Sequence, residues 1–116
     1  MSARPMLLLA FLITGPLIIT SPLMAQETVT PLISKGLAGV SGKDVLMYTV
    51  DFPPGHSSPV HRHNAQLFLY VLEGSIVTQV KGGKEITLTP GQTYYEDPND
   101  IHTVSRNASS TKPAKF

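Results

Sequence analysis

Gly55-His-Ser-Ser-Pro-Val-His61-Arg-His63-Asn-Ala-Gln66-Leu67-Phe-Leu-Tyr-Val-Leu-Glu73-Gly74 is the stretch on which the reading of this chain turns. His61 and His63 are two apart in a segment without helical periodicity, and an extended backbone sends both imidazoles to one face. At strand rise their Cα atoms stand about 6.6 Å apart, close enough to share one ion. Pro53-Pro54-Gly55 makes a turn just before them. Leu67–Leu72, an unbroken apolar run just after, has the length of a buried strand. A histidine chelate at the mouth of a small β-structure is the expectation.

The flanking sequence supplies that β-structure. Thr28–Ser34 is β-branched and interrupted by Pro31, which suits an edge strand. Gly36–Asp44 is glycine-rich and reads as a loop. Val45–Phe52 alternates, with Leu46, Tyr48, Val50 and Phe52 on the inner face. Beyond the histidines, Leu67–Leu72 and Ser75–Lys81 read as strands joined at Glu73-Gly74. Lys81-Gly82-Gly83-Lys84 is a hairpin signal, because glycines accept the positive φ of a two-residue turn. Glu85–Thr89, Gln92–Glu96 and Ile101–Arg106 follow, separated by Pro90-Gly91 and Pro98-Asn99-Asp100. Turns at this spacing predict an all-β sandwich or barrel. Lys112–Phe116 reads as the approach to another strand.

The first 25 residues read differently. Arg4 is the only charge before Glu27, an apolar core runs from Met6 to Ile13, and Ala25 offers a small residue at a cut. That order predicts a secretory signal peptide over residues 1–25, removed to leave one domain, 26–116, in the periplasm or outside the cell. The rival, an uncleaved anchor over Pro5–Gln26, is opposed by Gly15, Pro16 and Pro22. With Arg4 gone, the nine Lys/Arg of the chain fall to eight against eight Asp/Glu. That balance gives no electrostatic case for nucleic acid or, after cleavage, for a membrane surface. The chain has no cysteine, which excludes disulfides and thiolate ligands. A domain this small buries a core only marginally. Together with the apolar Phe68–Val71, this leads us to expect a homodimer.

The histidine stretch resembles the first motif of the cupin superfamily. That motif is a glycine, five residues, His-x-His, three or four residues, a glutamate, six residues and a glycine. Gly55, His61, His63 and Gly74 match it. The second motif, Pro-x-Gly-x-x-His followed by an asparagine, is matched more loosely. His102 is in place, Asp97 and Asn99 stand where proline and glycine would be, and Asn107 is one position late. The resemblance spans residues 45–107. It implies an antiparallel β-barrel of the jelly-roll or double-stranded β-helix type, lacking its last strand if the chain is truncated. It also implies a divalent metal held by His61, His63 and His102. The family's glutamate slot holds Leu67, which cannot ligate, and alternation points the adjacent Gln66 away.

Three neutral imidazoles suit iron, nickel, copper, manganese or zinc, with positions left for water or a small molecule. Some dioxygenases of the superfamily use three histidines, so the resemblance implies a small-molecule dioxygenase or other oxidoreductase. The alternative it leaves is a binding module without turnover, since fold does not fix function. A pocket for either is expected among Met47, Tyr48, Phe68, Tyr70 and Tyr94. His56 reads as a solvated loop histidine, Glu73 as a surface residue, and Glu96 and Asp97 as neighbours that point apart. Asn107-Ala-Ser109 fits a glycosylation acceptor on three residues alone.

Overall fold

Pro31 decides how the chain enters its first sheet. Strand β1 (Thr28–Gly36) runs antiparallel to β2 (Asp44–Phe52), and the register slips between Pro31 and Ile33. Lacking an N–H, proline is tolerated at an edge, and β1 is the edge of a sheet that continues through β2 to β8 (Ala114–Lys115). The computed structural model describes residues 15–21 and 25–116. The predicted leader and its cut therefore fall largely outside the described residues.

The inner face predicted for β2 holds over half its length. Tyr48 is half-buried and Val50 and Phe52 are buried, whereas Leu46 is 60% exposed. The reason is pairing. Strand β8 meets β2 at Asp51 and Phe52, and Phe116 extends the contact to Val50, so among the described residues the β1–β2 hairpin pairs only with itself from Tyr48 outward. The predicted approach to a further strand at 112–116 is thus the short β8. It is also held at Glu73, whose N–H and carbonyl both bond to Lys115.

Strand β3 (Leu67–Tyr70) pairs with β6 (Thr93–Glu96), while β4 (Ile76–Val80) lies between β5 (Ile86–Leu88) and β7 (His102–Asn107). The two strands read as joined at Glu73-Gly74 therefore separate into different sheets. Gly74 is the pivot, at φ +68°, and a Cβ there would collide with the Pro113 carbonyl and Ala114. Only glycine admits both that backbone angle and that approach. The predicted hairpin does join β4 to β5, but only Gly82 takes positive φ, and Gly83 N–H donates to the Val80 carbonyl. That is the type II pattern rather than the mirror-image turn.

All strand pairs are antiparallel, and the described residues contain no helix. The all-β expectation holds, although the three sheets do not close into one barrel among the described residues. Val50, Phe52, Val71, Ile76, Leu88 and Ala114 form the core. Phe116 packs edge-on to Phe52 with ring centroids 4.9 Å apart. Asn107 is buried beside it. Its amide donates to the carbonyls of Phe52, Pro53 and Lys112, and its oxygen accepts from Ser109 N–H. This side chain ties β7 to β2 and the tail, so in the folded chain Asn107 is a clamp rather than an exposed acceptor for a glycan.

Candidate metal centre

His61 and His102 face each other across a backbone bridge. His102 N–H donates to the His61 carbonyl at 2.8 Å and His61 N–H to the His102 carbonyl at 3.2 Å. Residues that exchange both bonds in an antiparallel pair put their side chains on one face. Their ring centroids are 5.1 Å apart. The His-x-His spacing does the rest: His63 lies 5.1 Å from His61 and 6.2 Å from His102, its ring nearly perpendicular to both. The structure thus brings together the three histidines singled out in the sequence.

Their protonation is partly legible. His61 Nδ1 donates to the Pro59 carbonyl at 2.8 Å, and a carbonyl only accepts, so in the neutral ring Nε2 carries the free lone pair. Burial lowers the pKa of His63 from its ordinary value; the Glu96 carboxylate opposes this, and the other two imidazoles reinforce it. His102 is 5% exposed, and both its ring nitrogens are buried without a hydrogen-bond partner.

Sequence reasoning missed Glu96. It is 2% exposed, and its Oε1 stands 2.8 Å from His102 Nε2. That contact is too far out of line to be a hydrogen bond, since Nε2 remains unpartnered. A turn over 97–100 sets the pair. Asp97 N–H donates to the Asp100 carboxylate and Asp100 N–H to the Asp97 carbonyl, so the end of β6 and the start of β7 converge. The available signal was the alternation of β6, which puts Glu96 on the inner face with Tyr94. Glu96 and Asp97 do point apart, as read, with Asp97 exposed.

Among the described residues, no three histidine or carboxylate side chains already close around one point as ligands. The rings are gathered but the donor atoms have not converged. The chemistry nonetheless suits a divalent transition ion. A buried imidazole with no partner, a second fixed in the Nε2-accepting tautomer and a third biased toward neutrality are all competent donors. Two imidazoles on one ion leave their centroids about 5 Å apart, which matches two of the three separations here.

The remaining expectations divide. Tyr94 is half-buried, with its ring 6.5 Å from that of His102. Burial raises the phenol pKa of both Tyr48 and Tyr94, and the Glu96 charge raises both further. Met47, Phe68 and Tyr70 do not line the site. They are exposed, because alternation turns them to the outer faces of β2 and β3. Gln66 and Glu73 are exposed as expected. His56 is not a solvated loop residue: its ring packs 4.7 Å from that of Phe52, and its nitrogens meet Ala25, Ser58 and Glu27.

Comparison with known proteins bears on the family. The cupin domain family matches residues 48–116, more than half of the chain. The chain belongs to the cupin family. This cupin resembles the DMSP lyase DddQ from Ruegeria pomeroyi DSS-3 at 22% identity and a TM-score of 0.62, covering 84% of this chain and 48% of that one. It spans about half the length of that lyase. A cupin superfamily protein from Desulfitobacterium hafniense DCB-2 aligns at 17% identity and a TM-score of 0.60, over 88% and 85% of the two chains. A predicted oxalate decarboxylase from Thermotoga maritima aligns at 20% and 0.52, over 76% and 88%. No curated protein matches this cupin. At these identities the likeness establishes the fold.

Proposed function

We propose that this chain is an exported, single-domain cupin that holds one divalent transition ion through His61, His63 and His102 and acts there on a small molecule as a dioxygenase-type oxidoreductase. The observation that carries the reading is His102, buried with both ring nitrogens unpartnered and two further imidazole centroids 5.1 and 6.2 Å from its own. An unsatisfied buried polar group costs about 1–3 kcal/mol, and an ion shared with the other two rings removes that penalty at one of the two nitrogens. Iron, nickel, copper, manganese and zinc all suit the donors. When bound, such an ion supplies Lewis acidity and, if redox-active, a meeting point for dioxygen and substrate.

The chain's own residues have separable tasks. The Pro59 carbonyl holds His61 so that Nε2 faces the ion. The bridge between His61 and His102 fixes the distance between two ligands. Tyr94 stays protonated and can donate a hydrogen bond to a bound small molecule. Two of the similar folds are described as a lyase and a predicted decarboxylase, which supports small-molecule turnover. Leu67 in the family's glutamate slot favours the second reading, binding without turnover.

The same proposal includes a second copy of this chain as partner, in the periplasm or outside the cell. On the outer face of β3 and β6, Phe68 is 79% exposed and its ring lies 5.2 Å from Tyr95, with Tyr70 54% exposed beside them. The test of the site is metal analysis of the purified chain beside a His61→Ala/His63→Ala variant. About one equivalent in the parent and none in the variant supports the site, and oxygen-consumption screens follow. A folded parent that takes up no metal at neutral pH, where imidazoles are free to ligate, sinks it.

A further inference from the structure

We infer that Glu96 is a fourth ligand of the ion, its carboxylate delivered from the strand opposite Leu67. The inference rests on the three-histidine site proposed above and deepens it.

The β3–β6 register pairs Leu67 directly with Glu96. Directly opposed residues of an antiparallel pair lie on the same face with Cβ atoms about 4.5–5.5 Å apart. A carboxylate on β6 therefore projects beside the place from which a carboxylate on β3 would have come. Leucine at 67 puts a half-buried apolar side chain there instead.

Three observations distinguish a ligand from a structural carboxylate. First, Glu96 is 2% exposed, yet among the described residues its ion-pair partner is His102 alone; the lysine and arginine that form ion pairs do so with Asp51 and Glu85. A buried carboxylate without a cation is costly, and a divalent ion is the cation this pocket can accept. Second, Glu96 approaches His102 at Nε2, 2.8 Å away. A carboxylate that merely orients a ligating imidazole sits on the ring's other nitrogen, and Nδ1 of His102 has no partner. Third, the contact is short but out of hydrogen-bonding line. Two donor atoms about 2.1 Å from one ion and at the right angles of octahedral or square coordination stand about 3 Å apart with no hydrogen bond between them. The Glu96–His102 pair has that spacing.

The test uses the full-length chain and cobalt(II) chloride as probe. Affinity is measured by chelator competition, and the visible spectrum and the infrared difference spectrum of uptake are recorded. Glu96→Gln keeps shape and removes the charge. Its expected effect is a loss of more than about 100-fold in affinity, beyond what outer-shell partners give, with an altered cobalt spectrum. Leu67→Glu placed in the Glu96→Gln background is expected to recover most of the affinity from across the ladder. The unmodified protein serves if the single variant does not fold: cobalt uptake should then shift a carboxylate stretch in the infrared. Unchanged affinity and spectrum in Glu96→Gln, or uptake by the parent with no carboxylate shift, overturns the assignment while leaving the three histidines intact. A parent that takes up no cobalt overturns both readings.

Discussion

Among the described residues there are two histidine–glutamate pairs, and they differ in the way that matters. His56 Nε2 lies 3.4 Å from Glu27, with side chains 12% and 40% exposed. Ser58 Oγ donates to the same carboxylate at 3.0 Å and meets His56 at 3.2 Å, while Nδ1 reaches the Ala25 carbonyl. Every polar atom of that histidine has a protein partner. His102 and Glu96 are closer, at 2.8 Å, and almost sealed, at 5% and 3% exposed, yet the histidine is unpartnered at both nitrogens. A satisfied pair near solvent stabilises weakly and locally. A buried pair out of alignment is a liability unless something else binds between its members. The contrast sets the first pair apart as scaffold and suits the second to the proposed site.

The largest effect that could break this contrast is on metal uptake. His102→Ala should lower cobalt affinity by at least about 100-fold, whereas His56→Ala should leave it within about twofold. Equal losses from both substitutions, measured by chelator competition, would remove the distinction. A smaller and opposite effect concerns stability without metal. Glu96→Leu replaces a buried carboxylate that lacks a cation with an apolar side chain opposite Leu67, which removes the cost of keeping that charge out of water. The metal-free variant should therefore resist urea at least as well as the metal-free parent. Glu27→Leu, at the exposed pair, should change stability by less than about 1 kcal/mol. Added metal should raise the Tm of the parent, since saturation at one hundred times Kd contributes about 2.7 kcal/mol, and leave that of Glu96→Leu nearly unmoved. A metal-free Glu96→Leu protein that unfolds several molar units of urea earlier would instead make the carboxylate a structural partner.

Much of this was legible in the sequence because turns and alternation are local. Pro54-Gly55 and Pro90-Gly91 announce their turns through glycine at positive φ, and the strands between them follow. His61 and His63 were legible as a pair through their spacing, and His102 joined them through the resemblance to the family's second motif. Sheet membership was not, since nothing near Glu73-Gly74 reveals that Pro113 and Ala114 close on Gly74 and turn the chain into another sheet. Glu96 was missed for a related reason. Its face follows from the alternation of β6, but its role depends on the register with Leu67, a long-range pairing that local patterns do not specify. His56 was misread because its companions, Phe52 and Glu27, come from β2 and the segment ahead of β1.

The smallest expected effect probes the charge of the buried pair. Burial raises the phenol pKa of Tyr94 from 10.0, and Glu96 raises it further; Tyr48 responds to the same two causes in the same order. Above pH 10 the unfolded chain releases these protons while the folded chain still holds them. The folded state then binds more protons, so stability falls as pH rises through and beyond 10, and the contribution is fully present below it. Glu96→Gln removes the second cause and keeps the first. In ultraviolet titration of the metal-free protein, the two late-titrating phenols should move down toward 10 without reaching it, and the alkaline loss of stability should become shallower. Glu27→Gln should leave Tyr94 unmoved and shift Tyr48 only slightly, since Glu27 is the least of its three causes. If both substitutions shift the tyrosines alike, the charge felt at Tyr48 and Tyr94 does not come from Glu96, and the distinction between the two pairs loses its electrostatic half.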